Sequence, residues 1–423
     1  MISARRAAYD ALTAVTKEGA YTSLALKNHL PQELPAKDKA FASLLVRTTL
    51  ENLLRIDYVL STFITSGRVH GSVKNILRLG ACQIMFTDTE DYAAVSESVE
   101  LVKQIKPQMK GFVNAVLRNV IRSKDSIEYP SGQNADSLSI LSSYPVWICE
   151  KYIADFGYDF AEELLTYKDK PGTSVRANTL LANSEELKKG FGSLGLEYSP
   201  GTIEDTFIVE GLTDIENLDA YKRGHMAVQS QSAMRAVLET GIQPGMRLLD
   251  CCAAPGGKSA YAAVLARNTL DITAWDIHKH RVDMMRKNFD RLGVKNAKTE
   301  LRDAGVYARE YEKAFGAVIV DAPCSAMGLM YKSPDIRYSR KPEDIKALSV
   351  SQYEILSVCS KYVKLDGILA YYTCSVNKEE NEQVTERFIS ANEGFRYVKP
   401  PITLYPHLYG SDGFYIAVMR RIT

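Results

Sequence analysis

An apolar run, Met246-Arg247-Leu248-Leu249-Asp250, breaks at Cys251-Cys252-Ala253-Ala254-Pro255-Gly256-Gly257 and resumes as a helical pattern from Lys258. A strand that ends in a glycine turn and continues as a helix belongs in a parallel sheet with helices on both faces. The chain that follows keeps to this grammar. Leu270 to Trp275 is predicted as a second strand ending at Asp276, a third ends at Asp303, and a fourth, Ala317-Val318-Ile319-Val320, ends at Asp321. Glycines let backbone approach a ligand without Cβ clashes, and amides at a helix start favour its negative groups. Asp276 lies about twenty residues past the glycines, the spacing at which a carboxylate holds ribose hydroxyls. The turn lacks Gly-x-Gly-x-x-Gly, which argues against a nicotinamide cofactor.

The front of the chain obeys a different period. At 423 residues the chain exceeds one ordinary core and calls for two or three domains. Before Asp125 the pattern is helical throughout. Ala4, Ala7, Ala8, Ala11, Leu12 and Val15 mark a first amphipathic helix, Phe41, Leu44, Leu45 and Thr48 begin another, and no strand alternation is found. A net charge of +1 hides an asymmetry: 17 Lys and Arg against 12 Asp and Glu up to Asp125, and 35 against 39 beyond it. Between Leu101 and Lys124 stand six basic residues, Lys103, Lys106, Lys110, Arg118, Arg122 and Lys124, and no acidic one. Phe112, Val113, Val116, Leu117, Val120 and Ile121 share one helical face, which puts Arg118 and Arg122 one turn apart on the other. Such a stripe is either an ordinary solvated face or a track for a phosphate backbone.

Between these halves, the polar stretch from Ser123 to Ser143 is predicted as a linker. From Pro145 to Tyr167 the pattern is helical, with Trp147 and Phe156 as core. Thr173 to Asn178 and Thr206 to Val209 are predicted strands flanking a capped helix from Ser184 to Phe191. Arg176 and Asn178 are candidates for RNA contact. Hydrophobic residues at 46% and charged residues at 24% describe a soluble, globular protein. With no leader and no apolar stretch long enough to span a bilayer, a cytoplasmic location is expected, with seven reduced cysteines and no membrane partner. No Cys-x-x-Cys pair exists, so no metal is expected.

Two cysteines carry the chemical signal: Cys324 in Asp321-Ala322-Pro323-Cys324-Ser325 and Cys374 in Tyr371-Tyr372-Thr373-Cys374-Ser375, each at a strand end. C5 of cytosine is too poor a nucleophile to attack a methyl sulfonium. A thiolate adding at C6 converts the ring to an enamine whose C5 can attack, and a second group is needed when the C5 proton leaves and the thiol is expelled. Two pocket cysteines fit that need. Lone cysteines at strand ends are more often small buried hydrophobes, which is the reading of Cys82, Cys149 and Cys359; Cys251 and Cys252 are read as wall residues, and His278 and His280 as surface loop residues.

Asp-Ala-Pro-Cys-Ser and Thr-Cys-Ser after Cys-Ala-Ala-Pro-Gly-Gly-Lys resemble the RNA cytosine-5 methyltransferases of the NOL/NOP2/Sun group. The resemblance implies that Cys374 is the nucleophile and that Cys324 assists product release. It implies S-adenosylmethionine as cofactor, wrapped by Cys252, Ala253, Ala254, Pro255, Gly256, Gly257 and Lys258, with Asp276 at the ribose and Asp303 at the adenine side. Asp321 then sits between cofactor and base, where a carboxyl could bond cytosine N3 or its amino group. Lys258 is either a solvated helix residue or a cation that favours a thiolate.

Tyr92 to Lys103 and Gly111 to Arg118 resemble the NusB antitermination fold, which implies an RNA-binding helical module, and the small α+β unit resembles the RRM-like subdomain of the family. The expected architecture is therefore multi-domain: an all-α NusB-like domain over 1–125, a linker and helical connector over 126–170, a small α+β RRM-like subdomain over 171–220, and a Rossmann-like α/β methyltransferase domain over 221–423. The expected partner is small-subunit ribosomal RNA and the expected state a monomer. The same reaction on transfer RNA or large-subunit ribosomal RNA, a non-catalytic RNA-binding assembly factor, and a DNA methyltransferase are the alternatives.

Asn377-Lys378-Glu379-Glu380-Asn381-Glu382 reads as an acidic helix start, with Glu380 and Asn381 in the family register. Phe395 to Val398 and Gly413 to Met419 are predicted as a terminal hairpin. Two departures border the base pocket. Ser325-Ala326-Met327-Gly328 stands where the family has Ser-Gly-Thr-Gly, followed by Tyr331-Lys332 in place of a basic pair, and Ser230 stands where an acid is expected after Val228-Gln229.

Overall fold

The computed structural model describes residues 3–64, 69–168 and 172–423; the expected domain boundary between 170 and 171 lies outside the described residues. The chain divides into two compact units, one comprising Met1–Tyr167 with Met330–Arg340, the other Lys168–Leu329 with Lys341–Thr423.

The first unit is helical. Its first helix, Ala4–Glu18, starts where Ser3 accepts the Arg6 amide hydrogen and stops at Gly19, whose φ of 72° is the left-handed conformation that glycine tolerates best. Helices Thr22–His29, Ala36–Glu51, Leu53–Phe63, Gly71–Phe86, Asp91–Ile105 and Lys110–Ser123 follow. They enclose one core in which Leu12, Leu45, Ile76, Leu77 and Leu117 are wholly buried. The expected face of Lys110–Ser123 is the buried one: Val113, Val116, Leu117 and Val120 point inward and Arg118 and Arg122 are exposed. Leu44, expected on a core face, is instead 53% exposed.

Three shorter helices continue the unit. The polar stretch after Ser123 is more ordered than its composition suggests: Asn134 caps a helix Ala135–Ser142, and Leu138 is buried. In the next helix, Val146–Phe156, the core residues are Ile148 and Tyr152, with Tyr144 just before it, while Trp147 and Phe156 are only half-buried. The expectation that Trp147 and Phe156 form the core is corrected: the buried face runs through Ile148, Cys149 and Tyr152, the last one helical turn from the first two. Residues 330–340, which include the helix Asp335–Ser339, complete this unit. The Arg337 guanidinium donates to the carbonyls of Met330 (3.0 Å) and Glu51 (3.2 Å) and lies 3.8 Å from the Tyr144 ring centroid. The Tyr338 hydroxyl donates to the Leu50 carbonyl at 2.8 Å, and Thr22 Oγ1 donates to Asp335 Oδ1 at 2.8 Å.

The second unit contains two sheets. Strands β1 (Thr173–Ala177), β2 (Tyr198–Pro200), β3 (Thr206–Val209) and β4 (Met226–Val228) form an antiparallel sheet in the order β2-β3-β1-β4. The helix Ser184–Ser193 opens with a capping box between Asn183 and Glu186. Arg176 and Asn178 do not face solvent. Arg176 is 1% exposed, donates to Gln229 Oε1 at 2.9 Å and stacks over Tyr261, and Asn178 donates to the carbonyls of Gly224 and Leu292. The expectation that they contact RNA is overturned, since both side chains are buried, Arg176 at 1% exposure and Asn178 at 0%.

The larger sheet holds β5 (Arg247–Asp250), β6 (Asp271–Asp276), β7 (Ala297–Leu301), β8 (Phe315–Asp321), β9 (Val363–Thr373), β10 (Phe395–Tyr397), β11 (Ile402–Leu404) and β12 (Phe414–Arg421), in the order β10-β12-β9-β8-β5-β6-β7 with β11 beside β12. The run from β7 to β9 is parallel, and β12 turns antiparallel against β9. The expected terminal hairpin is wider than a hairpin, because β11 also pairs with β12. Ala317, Ile319, Leu369 and Tyr371 are among the wholly or almost wholly buried residues of β8 and β9, which makes these central strands rigid supports for whatever follows them.

Candidate active site

β8 and β9 are adjacent and parallel, with Asp321 opposite Tyr372. Residues just past their ends must therefore emerge side by side. Cys324 and Cys374 do so, with their sulfurs 2.9 Å apart and both side chains part-buried. The hydrogen bond with Cys374, and after it burial, holds the Cys324 thiol well above the ordinary thiol range. Either sulfur can donate in this pair.

β5 lies on the other side of β8, and the turn after it carries Lys258 to the same edge. Lys258 is the second residue of the helix Gly257–Leu265, and its Nζ stands 2.5 Å from Asp321 Oδ2 and 5.5 Å from the Phe414 ring centroid. Burial alone would depress the lysine. The Asp321 charge and hydrogen bond, joined by Asp250 and Cys374, outweigh it and raise its pKa. The site thus keeps a fixed cation beside its thiols.

The glycine turn is held at both ends. Ala253 N–H donates to the Trp275 carbonyl at 2.8 Å, Gly256 N–H to the Ala253 carbonyl at 2.7 Å, and Asn288 Nδ2 to the Pro255 carbonyl at 2.9 Å. Gly256 has φ of 95°, and a Cβ there would come within 2.7 Å of the Phe289 ring. Only glycine suits that position. Cys251 and Cys252, the first two residues after the strand end, have thiol pKa values pushed well up, by burial first. Asp250 is wholly buried, accepts the Ser259 hydroxyl at 2.6 Å, and is pushed up to about 7 by burial.

Asp276 ends β6 nearly buried and accepts the His278 amide at 2.9 Å. Asp303 lies two residues past the end of β7, exposed, with Oδ1 accepting the Gly305 amide at 2.8 Å. The structure therefore joins Cys324 to Cys374 and Lys258 to Asp321 by direct contact, whereas Asp276 and Asp303 stand at the neighbouring strand ends. His278 and His280 are exposed as expected, with their rings stacked 5.7 Å apart, but His280 lies in the helix Lys279–Arg291 rather than a loop; Cys82, Cys149 and Cys359 are buried as expected, in helices rather than at strand ends.

Sequence reasoning missed the scaffold behind the thiols. Residues 378–381 form turns rather than a helix start, the helix beginning at Glu382, and Glu380 and Asn381 are wholly buried. Asn381 Oδ1 accepts the Thr373 hydroxyl at 2.5 Å, and Asn381 Nδ2 donates to the Ser375 carbonyl at 3.0 Å. The signal that could have found this was the serine after each cysteine, a small polar residue placed to meet a shared acceptor. The departures also have places. Ala326 adopts φ of 60°, the conformation for which glycine is suited, and Gly328 lies so close to Gly413 that no Cβ fits. Gly328 N–H donates to the Cys374 carbonyl at 3.0 Å.

Residues 237–420 match a family model described as 16S rRNA methyltransferase RsmB/F, and residues 2–122 match the NusB family. A relative from Bacillus subtilis (strain 168), "Probable ribosomal RNA small subunit methyltransferase B", is 31% identical over 445 residues, spanning 99% of each chain. The chain belongs to the RsmB/F methyltransferase family. The "Ribosomal RNA small subunit methyltransferase B" of Shewanella oneidensis is 27% identical over 432 residues and again spans 99% of each chain.

Among solved structures, the "Methyltransferase Homolog Protein from Pyrococcus Horikoshii" superposes with a TM-score of 0.61 at 26% identity, covering 69% of this chain and 100% of that one. PH0851 shares the fold with a TM-score of 0.83 at 23% identity, covering 99% and 98%. The RsmB/F chain thus combines a NusB helical domain with a Rossmann-like methyltransferase fold, and S-adenosylmethionine is its cofactor. Its residues suit that group: a turn that excludes a Cβ at Gly256, a helix start at Gly257, and a carboxylate at the end of the neighbouring strand β6. Among the described residues no group of His, Cys, Asp and Glu suits a metal ion, and no helix is long and apolar enough to cross a membrane.

Proposed function

We propose that this RsmB/F chain methylates C5 of a cytosine in small-subunit ribosomal RNA, in the cytoplasm, by thiolate addition at C6. The observation that carries this reading is the pair of sulfurs 2.9 Å apart at the ends of two adjacent parallel strands, beside a Lys258–Asp321 ion pair. A methyltransferase acting on nitrogen or oxygen needs no thiol, since those atoms attack a sulfonium unaided. The electron-poor C5 of a pyrimidine needs one, and its release needs a second group.

In this reading Cys374 adds to C6, which places an electron pair on C5. S-adenosylmethionine supplies the electrophilic methyl that C5 takes. The C5 proton then passes to water, its bonding pair re-forms the C5=C6 double bond, and the C6–S pair leaves with Cys374 as the thiolate, with Cys324 beside the reacting edge to assist release. Asp321, oriented by Lys258, is assigned to the cytosine amino group, whose N–H a carboxylate accepts, which would hold the ring against the attacking sulfur. The base is unpaired or flipped, because C6 is shielded in a stack. Asp276 and Asp303 are assigned to the cofactor's ribose and adenine. Within the helical unit, Arg118 and Arg122 border a groove of about 480 Å³ between helices Asp91–Ile105 and Lys110–Ser123, with Val95, Val99 and Ile121 along it and Tyr92 exposed at its edge. Lys103 and Lys124 are paired with Glu100 and Asp91, and of the other four basic residues of this stretch Arg118 and Arg122 are the two that line the groove, so they are the ones assigned to phosphate.

Incubation with small-subunit ribosomal RNA and methyl-labelled S-adenosylmethionine, followed by digestion to nucleosides, tests the reading. Label in 5-methylcytidine is expected, with transfer RNA and large-subunit RNA labelled at least tenfold more slowly. Label in any other nucleoside, or equal labelling of transfer RNA, overturns it.

A further inference from the structure

Glu380 is a wholly buried carboxylate that none of the steps above uses. Its Oε2 accepts the hydroxyls of Ser325 (2.5 Å) and Ser375 (2.6 Å) and the Asn377 amide (2.9 Å). Its Oε1 accepts the Ser325 backbone N–H (2.8 Å) and Gln352 Nε2 (3.1 Å). None of these donors is charged. Ser325 follows Cys324 and Ser375 follows Cys374, so one side chain holds the residue next to each thiol. Gln352 adds a second link, because its Nε2 also donates to the Pro323 carbonyl at 2.9 Å, on the other side of Cys324.

We propose that Glu380 is a positioning residue for methyl transfer: it ties the loop after β8 to the loop after β9 and so fixes the distance between the two thiols. The proposal rests on the reading that both cysteines serve one cytosine. β8 and β9 set where each loop starts, but two residues, Ala322 and Pro323, separate Asp321 from Cys324, so the strand pairing does not by itself fix the sulfur. Five convergent hydrogen bonds to one wholly buried carboxyl remove that freedom, since a donor that moved away would leave itself or the buried acceptor unsatisfied. The Gly328 amide on the Cys374 carbonyl works in the same direction farther along the loop. Glutamine has the same shape but must turn its NH₂ toward one set of donors. Either Ser325 N–H and Gln352, or Asn377 and the two hydroxyls, then lose their acceptor.

The test compares the full-length protein with Glu380→Gln, using diamide to couple the thiols. Each Cys324–Cys374 disulfide forms as two thiols give two electrons and two protons to the diazene, which becomes the hydrazine, and peptide mass mapping separates this bridge from those of other cysteines. Glu380→Gln is expected to slow that coupling at least tenfold and to lower kcat at least tenfold, with KM for RNA and the affinity for S-adenosylmethionine within twofold. If Glu380→Gln does not fold, the double variant Ser325→Ala with Ser375→Ala replaces it, with the same expected shifts. Coupling at the wild-type rate overturns the proposal, whatever happens to kcat. Slowed coupling in a protein whose product is not 5-methylcytidine would leave the positioning role standing and remove the cytosine reading instead.

Discussion

The Cys324 sulfur lies 2.9 Å from the Cys374 sulfur although fifty residues separate them in the chain. Two adjacent parallel strands account for this: β8 and β9 run in register to Asp321 and Tyr372, and each sends a short loop over the same edge of the sheet. The two sulfurs are thereby placed by buried central strands of the sheet. The loops themselves are then held by buried hydrogen bonds.

Gly256→Ala is expected to damage the cofactor turn. The left-handed backbone costs an L-residue about 1–2 kcal/mol, and a methyl 2.7 Å from the Phe289 ring adds about 1–3 kcal/mol of overpacking. Titration calorimetry should give an S-adenosylmethionine Kd raised at least tenfold, together with a lower Tm. An unchanged Kd would mean that this turn does not carry the cofactor.

Asp250 predicts a pH dependence of stability. Its folded pKa, about 7, lies above the unfolded value near 3.8, because burial disfavours the charged form. The native state then holds the extra proton between those values, so stability from this group is fully present below about pH 4 and is lost as pH rises to about 7. The slope is at most about 1.4 kcal/mol per pH unit. Urea unfolding of wild type and Asp250→Asn at pH 5 and pH 8 checks this: the wild type should lose more stability across the interval than the variant. Equal losses would mean that Asp250 ionises freely in the fold.

Arg337→Met keeps the length of the side chain and removes its donors. The carbonyls of Met330 and Glu51 lose a partner and the Tyr144 ring loses its cation. Buried groups left unsatisfied cost about 1–3 kcal/mol each. Hydrogen exchange should show residues 330–340 opening at least tenfold faster than in wild type. Unaltered exchange there would show that Tyr338 and Asp335 anchor the segment by themselves.

What could be read from the residues alone was whatever local pattern controls. Strand ends at Asp250, Asp276 and Asp321 were legible because an apolar run stops at an acid, and the helix Lys110–Ser123 because its apolar positions repeat at 3.6. Asp303 was placed at a strand end and lies two residues beyond it, the usual looseness of boundaries. Partners far apart in sequence were not legible. Glu380 looked like a helix-dipole acid because nothing local reveals that Ser325, 55 residues earlier, reaches it. Arg176 looked like an RNA ligand because the sequence does not reveal that Gln229 and Tyr261 cover it. The residues 330–340 look like a loop of the catalytic half, and only the pairing of Arg337 and Tyr338 with backbone carbonyls of the helical unit shows where they pack.

The central claim is that Cys374 attacks and Cys324 assists release. It is tested by denaturing-gel mobility of wild type, Cys324→Ala and Cys374→Ser after incubation with labelled small-subunit ribosomal RNA and S-adenosylmethionine. A retarded protein–RNA band in Cys324→Ala alone is the predicted result, because attack survives while release fails. A retarded band in Cys374→Ser alone would reverse the two thiols, and no band in any lane would contradict covalent catalysis on this RNA.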